Sequence, residues 1–230
     1  MQKWNATRLQ NTPELPWDMD FGGVVQDLSA DKAHDGAATA FVAAMLARRS
    51  GSVMWVQDRF SRQQGGRLYE TGLYHRFDIG GPILRVEVSH PRDALYAMEE
   101  AAACAALSAV VGEVDGRSSA LDLTATRRLA LRAKASGVTV WLIRSGEANG
   151  PSAARMRWRL ASVPSLTHPH DAQAPGAPCW SAELVRATGR GPGMWNIFHE
   201  RAPHDRIRLV SGTRDESLAP PVRARAGAAA

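Results

Sequence analysis

The 230-residue sequence is poor in cysteine, with only Cys104 and Cys179. Two thiols exclude a disulfide scaffold and a four-cysteine zinc site. No apolar run approaches the roughly 18 residues of a membrane-spanning helix. The opening segment, Met1-Gln2-Lys3-Trp4-Asn5, lacks the apolar stretch of a secretory signal. These absences predict a soluble cytoplasmic protein with reduced thiols. The seven histidines are scattered, so spacing suggests no Ser-His-Asp or Cys-His pairing. His168-Pro169-His170-Asp171 has no matching ligand cluster elsewhere and reads as loop, with no metal expected.

What is present is length, apolar content and uneven charge. With 44% hydrophobic residues, the chain can bury a core as one large domain or two small ones. The net charge is +5, but residues 1–115 carry 11 basic against 15 acidic side chains and residues 116–230 carry 17 against 8. A basic second half suits an anionic partner, either nucleic acid or an acidic protein. An arginine-rich composition with no such partner gives the same count.

Hydrophobic periodicity alternates strand and helix. Strands are expected over 24–28, 52–56, 83–88, 109–114 and 138–143. Helices are expected over about 36–49, 91–105 and 121–136. Phe41/Met45 and Val42/Leu46 form i,i+4 apolar pairs, Pro91 stands where a first-turn proline belongs, and Gly137 ends the third helix. Residues 58–82 read as loop with one short helix, and 168–178 as a surface loop. Residues 182–186 and 194–198 flank a Gly/Pro turn and form a hairpin, and 206–210 adds a last strand. Cys104 reads as a packing residue near a helix end. The fold class expected is α/β, a mostly parallel sheet flanked by helices with a C-terminal antiparallel hairpin extension.

A strand, a polar loop and a helix near the start of the chain is where a phosphate-binding loop sits. That loop needs backbone N–H groups at a helix N-terminus, a lysine and a magnesium-binding hydroxyl, in the pattern G-x-x-x-x-G-K-[ST]. The matching stretch is Ala30-Asp31-Lys32-Ala33-His34-Asp35-Gly36-Ala37-Ala38-Thr39. Gly36 survives, Ala37 replaces the lysine and Ala38 the hydroxyl. Thr39 falls one position late, and Asp31 and Asp35 repel a triphosphate. A nucleotide site also needs an acid closing an apolar strand. Val110-Val111-Gly112-Glu113-Val114-Asp115 offers Glu113 and Asp115, but Gly112 holds the usual position. Glu113 reads either as a general base or as an ordinary acid at a sheet edge. No cofactor and no catalytic residue are expected, because the phosphate loop is degenerate.

Further blocks, in order, are Pro91-Arg92-Asp93-Ala94-Leu95-Tyr96-Ala97-Met98-Glu99-Glu100, Leu107-Ser108-Ala109-Val110-Val111-Gly112-Glu113 and Leu121-Asp122-Leu123-Thr124-Ala125-Thr126-Arg127-Arg128-Leu129. Ala135-Ser136-Gly137-Val138, Pro151-Ser152-Ala153-Ala154-Arg155-Met156-Arg157-Trp158-Arg159-Leu160-Ala161-Ser162 and Pro164-Ser165 follow. Glu183-Leu184-Val185-Arg186 then precedes Gly189-Arg190-Gly191-Pro192-Gly193-Met194-Trp195. Through these blocks residues 21–210 resemble the ImuA family of bacterial damage-induced mutagenesis cassettes. The resemblance implies a RecA-like core without a working phosphate loop. It also implies SOS-linked translesion DNA synthesis alongside ImuB, a Y-family-like polymerase protein, and an error-prone replicative-type DNA polymerase subunit. Other roles left open are a regulator of RecA filaments and a divergent ATP-dependent DNA-binding protein. On this reading 1–20 is an N-terminal extension, 21–210 the RecA-like domain and 211–230 a flexible Pro/Ala/Arg tail carrying Arg223 and Arg225. The location implied is cytoplasmic, with nucleoid association through partners.

In a RecA-like fold, single-stranded DNA is met by loops such as 145–151, here followed by Arg155, Arg157 and Arg159. On a strand, Arg157 and Arg159 share one face and Trp158 takes the other, toward the core. Arg127, Arg128, Arg132 and Lys134 form a basic stripe on the 121–136 helix, and Arg186 and Arg190 flank the hairpin turn. Each reads as a DNA or partner contact, or as a solvated surface. Trp195 and Phe198 point to opposite faces, with one expected to be exposed to a partner.

Overall fold

The computed structural model describes residues 21–200 and 206–209, apart from positions 31, 33, 34, 48, 147–149, 172 and 190. Segments 1–20 and 211–230, with Asp31 and Arg190, lie outside the described residues.

In chain order the elements are β1 (Val25–Ala30), α1 (Ala37–Leu46), β2 (Ser52–Gln57), α2 (Arg59–Gly65), α3 (Glu70–Phe77), β3 (Ile83–Glu87) and α4 (Pro91–Ala102). β4 (Leu107–Asp115), α5 (Leu123–Ser136), β5 (Thr139–Ser145), β6 (Met156–Val163), β7 (Cys179–Ala187), β8 (Gly193–Glu200) and β9 (Arg206–Leu209) follow. The strands form a nine-stranded sheet in the order β3-β2-β4-β5-β1-β6-β7-β8-β9. β3 through β6 pair in parallel, and β6 through β9 pair antiparallel. The fold is therefore α/β, with a mostly parallel sheet flanked by helices and antiparallel strands at its C-terminal end.

The strand order explains where the helices lie. The path β1→β2→β3 steps toward one edge, and β3→β4→β5 steps back. Right-handed crossovers then place the helices of the two paths on opposite faces. The core divides accordingly. On one face α1 packs with Leu68, Phe77, Val53, Trp55, Val111 and Trp141. On the other, α4 and α5 pack with Val110, Val114, Val140 and Leu142. A chain of tilted and edge-on ring contacts, Phe21–Trp141–Phe41–Trp158–Trp195, runs through the first core at centroid distances of 5.6–6.4 Å. Each such pair adds about 0.5–1.5 kcal/mol beyond its buried area.

Local chemistry sets the helix ends. The Asp122 carboxylate accepts from the Ala125 N–H at 2.7 Å and caps α5. Gly137 closes α5 at φ 80°, a conformation that favours glycine. Pro91 opens α4 in its first turn. The edge strand β3 is ringed by ion pairs in which Arg62, Arg67 and Arg85 meet Glu87, and Arg85 also meets Glu70.

Several expectations need correction. Residues 58–82 hold two helices, α2 and α3, because the Asp58 side chain caps α2 through the Ser61 N–H at 2.7 Å. Both helices bury little, only Ser61 in α2 and Phe77 in α3, so neither shows an apolar stripe. Cys104 is exposed, since α4 ends at Ala102, whereas Cys179 is buried. Trp195 and Phe198 do point to opposite faces, yet both are buried. No helix among the described residues is long and apolar enough to cross a membrane.

Candidate functional site

In an open parallel sheet, ligands bind beyond the carboxyl ends of the strands, where neighbouring connections leave in opposite directions. Here β2 and β4 are neighbours with that property, and so are β1 and β5. A cleft of about 400 Å³ opens there, lined by Lys32, Gly36 and Thr39 at the start of α1, Gln57, Glu113, and Ser145 with Gly146. The degenerate phosphate-loop positions and Glu113, far apart in sequence, are thus brought together.

The amino end of α1 is already occupied. Asp35 Oδ1 accepts from the Ala37 N–H at 2.9 Å. The same carboxylate takes the Ser162 N–H at 2.8 Å and the Ser162 hydroxyl at 2.6 Å, which ties the loop to β6. Burial alone would raise the Asp35 pKa. The Ser162 and Ala37 hydrogen bonds and the nearby Lys32 charge outweigh it, and the carboxyl sits below its ordinary value. An anion from the chain itself thus takes the first N–H at the amino end of α1, where a helix dipole favours negative charge. Gly36 lies at φ −74° with open space where a Cβ would sit. Neither backbone strain nor crowding within the chain requires glycine there. Ala37 and Ala38 are buried and supply neither ammonium nor hydroxyl.

Glu113 is a buried acid of a central strand, which corrects the sheet-edge alternative. Its Oε1 accepts from Trp55 Nε1 at 3.0 Å and from the Thr39 hydroxyl at 3.3 Å. Its Oε2 accepts from Gln57 Nε2 at 2.8 Å. Gln57 is fixed in turn, since its Oε1 accepts from the Leu68 N–H at 3.0 Å. Burial pushes the Glu113 pKa up, against the lowering effect of these donors, and the Asp58 charge adds to the rise. A carboxyl held by three side-chain donors is poorly placed to take a proton from a substrate. Asp115 does not line the cleft, and its carboxylate is held by the N–H and Nε of Arg117 in the next turn. The Asp115 N–H donates to Asp58 Oδ2 at 2.8 Å, which anchors the end of β4. No group of three or more metal-ligating side chains occurs among the described residues.

The described basic residues named from sequence fall in two groups, one on α5 and one at the β6–β7 pair, where Arg157 stands opposite Arg186. Arg157 and Arg159 share a face opposite the buried Trp158, as β6 requires. Arg157 Nε lies 3.9 Å from the buried Asp27 carboxylate, and Arg159 pairs with Glu183 at 2.8 Å. Arg186 donates to the Ser152 and Ala154 carbonyls, and Arg155 is exposed. On α5, Arg128 and Arg132 reach Glu99 of α4 at 2.9 and 3.8 Å, while Arg127 and Lys134 are exposed. The uniform stripe expected on this helix is therefore two exposed cations beside a pair shared with an acid. Sequence reading missed the Asp35–Ser162 bond and the Glu113 donors, whose residues lie far apart along the chain.

No family model matches the chain. It is 32% identical over 193 residues to Protein ImuA of Caulobacter vibrioides strain NA1000 / CB15N, covering 79% of this chain and 75% of that protein. Protein ImuA of strain ATCC 19089 / CIP 103742 / CB 15 matches to the same extent. With that identity over three quarters of the relative's length, the chain belongs to the ImuA family.

Proposed function

We propose that this chain is a non-catalytic, RecA-like accessory factor of damage-induced (SOS) translesion DNA synthesis. It bridges or stabilises ImuB and an error-prone replicative-type DNA polymerase subunit. The observation that carries the reading is Asp35, whose carboxylate takes the first N–H at the amino end of α1. The alanines at 37 and 38 and the clamped Glu113 support it. With no means to bind and cleave a nucleotide, the protein works by contact with partners. Membership of the ImuA family supports the mutagenesis setting. The partial pairing of Arg128, Arg132, Arg157 and Arg159 with carboxylates supports protein contacts over direct binding of single-stranded DNA, which needs several phosphates engaged together. The domain reading belongs to the same proposal, with 21–210 as the RecA-like unit between an N-terminal extension and a C-terminal tail. So does a cytoplasmic location with recruitment to the nucleoid through partners.

The test is affinity capture from cells treated with a DNA-damaging agent, read by mass spectrometry, together with calorimetric titration of ATP. Recovery of ImuB and the polymerase with no heat of ATP binding is the expected result. ATP binding that is lost on substituting Gly36 and Thr39 would replace the adaptor with an ATP-dependent DNA-binding protein. A changed DNA-stimulated ATPase of RecA filaments, without capture of ImuB, would replace it with a filament regulator.

A further inference from the structure

The outer surface of α4 and α5 carries two exposed large side chains on adjacent helices. α5 turns Ala125, Thr126, Leu129 and Ala133 inward. At helical spacing this places Leu131 diametrically opposite, on the outward crest, and it is 64% exposed. α4 buries Ala94, Leu95, Met98, Ala101 and Ala102. Tyr96 therefore lies on its outward crest, 66% exposed. Beside Tyr96, between α4 and the first turns of α5, runs a groove of about 490 Å³ with Leu95, Ala120 and Ala125 among its lining residues, and Leu131 stands on the α5 crest outside it.

The groove itself is lined by Arg92 and Arg128 against Glu99 and Asp122, and the excess of positive charge lies on α5, which carries no acidic residue. Arg132 stands beside Arg128 within 4 Å of the same Glu99. Glu99 orients the α5 arginines across the gap. Asp122, at the end of the groove, is committed to capping α5. Arg127 and Lys134 flank Leu131 on the side away from α4. The balance around Leu131 is cationic, whereas Asp93 and Glu100 lie beyond Tyr96 on the far flank of α4.

The geometry points to a docking site for an acidic amphipathic helix of a partner protein, seated between α4 and α5. Its apolar side chains meet Tyr96 and Leu131, and its carboxylates meet Arg92, Arg128 and Arg132, with Arg127 and Lys134 in reach of the outer flank. This is helix-in-groove recognition with charge complementarity at the rim. Nucleic acid fits less well. Phosphates gain nothing from the exposed leucine at the crest of the cationic helix. The site gives the proposed adaptor a partner surface, but its test uses neither ImuB nor a polymerase, so the two readings fail separately.

The probe is a fluorescein-labelled amphipathic peptide of glutamate and leucine, with a scrambled peptide of equal composition and an oligo-dT strand as controls. Binding is followed by fluorescence anisotropy on the full chain. The amphipathic peptide binds, and Leu131→Ser or Arg128→Glu weakens it by about tenfold or more, with the circular dichroism spectrum unchanged. Leu84→Ser, at an exposed leucine of the edge strand β3, leaves it unaltered. The proposal is overturned if the amphipathic peptide binds no better than the scrambled one. It is also overturned if the α5 substitutions change nothing, or if oligo-dT competes for the same residues and binds more tightly.

Discussion

Arg144 of β5 and Asp27 of β1 form a bidentate ion pair sealed inside the protein. The Nε and Nη2 atoms each meet a carboxylate oxygen at 2.7 Å, and the side chains are 0% and 2% exposed. The pair joins the two strands on the face covered by α4 and α5, where a lone charge has no water to solvate it. Arg144→Met alone is expected to cost about 3 kcal/mol, because it leaves the buried Asp27 carboxylate with only the 3.9 Å contact to Arg157. The double variant D27L/R144M recovers most of that loss. Urea denaturation of the single and double variants checks this. Equal stability of R144M and the wild type would contradict it.

Asp35 holds the first N–H of α1 through its own side chain and is tethered to Ser162. Asp35→Ala is expected to lower stability by about 1 kcal/mol through loss of these hydrogen bonds. Because its folded pKa lies below the ordinary 3.8, the contribution is complete above that value and disappears as pH falls through the folded pKa. Acid titration of the urea midpoint should show a steeper low-pH decline in the wild type than in D35A. By contrast, Gly36→Ala, with open space and an ordinary φ, should change stability by less than about 0.5 kcal/mol.

Glu113 shows the opposite pH dependence. Its folded pKa is raised above the ordinary 4.5, so the folded state holds its proton more tightly than the unfolded state. The corresponding stability is complete below 4.5 and is lost as pH rises through the folded value. Glu113→Gln should flatten this decline, as seen in denaturation midpoints at a series of pH values. Glu113→Ala leaves Trp55, Thr39 and Gln57 donors without their acceptor and should cost about 1–3 kcal/mol.

Gly112 packs against α4. A Cβ built there would stand 2.0 Å from Met98 Sδ and 2.5 Å from its Cε. Gly112→Ala is expected to destabilise by about 1–3 kcal/mol through overpacking. In a Met98→Ala background the same methyl should cost less, because the clashing atoms are gone, although Met98→Ala is itself destabilising in the core. Thermal unfolding of the single and double variants tests the coupling.

The alternating strands and helices were legible because most elements bury a regular apolar face. Pro91 and Gly137 marked helix ends correctly for the same local reasons the structure shows, whereas the Asp122 cap of α5 was seen only in the structure. α2 and α3 were not legible as a pair, since they bury almost nothing. Asp58 three residues before Ser61 was the available cap signal. The degenerate phosphate-loop positions could be read residue by residue at Gly36, Ala37 and Ala38. The clamp on Glu113 could not, because its donors lie 56 to 74 residues away along the chain. The split of the α5 arginines was hidden for a similar reason, as Glu99 comes from another helix.

The Asp35–Ser162 tether also bears on how the fold keeps its stability in a cell. A ligand that binds only the folded state adds stability in proportion to the logarithm of its free concentration. Here the anion at the amino end of α1 is covalently part of the chain, so its local concentration never changes. The first N–H of α1 is thereby satisfied from within the chain, and its partner arrives with folding itself rather than from solution.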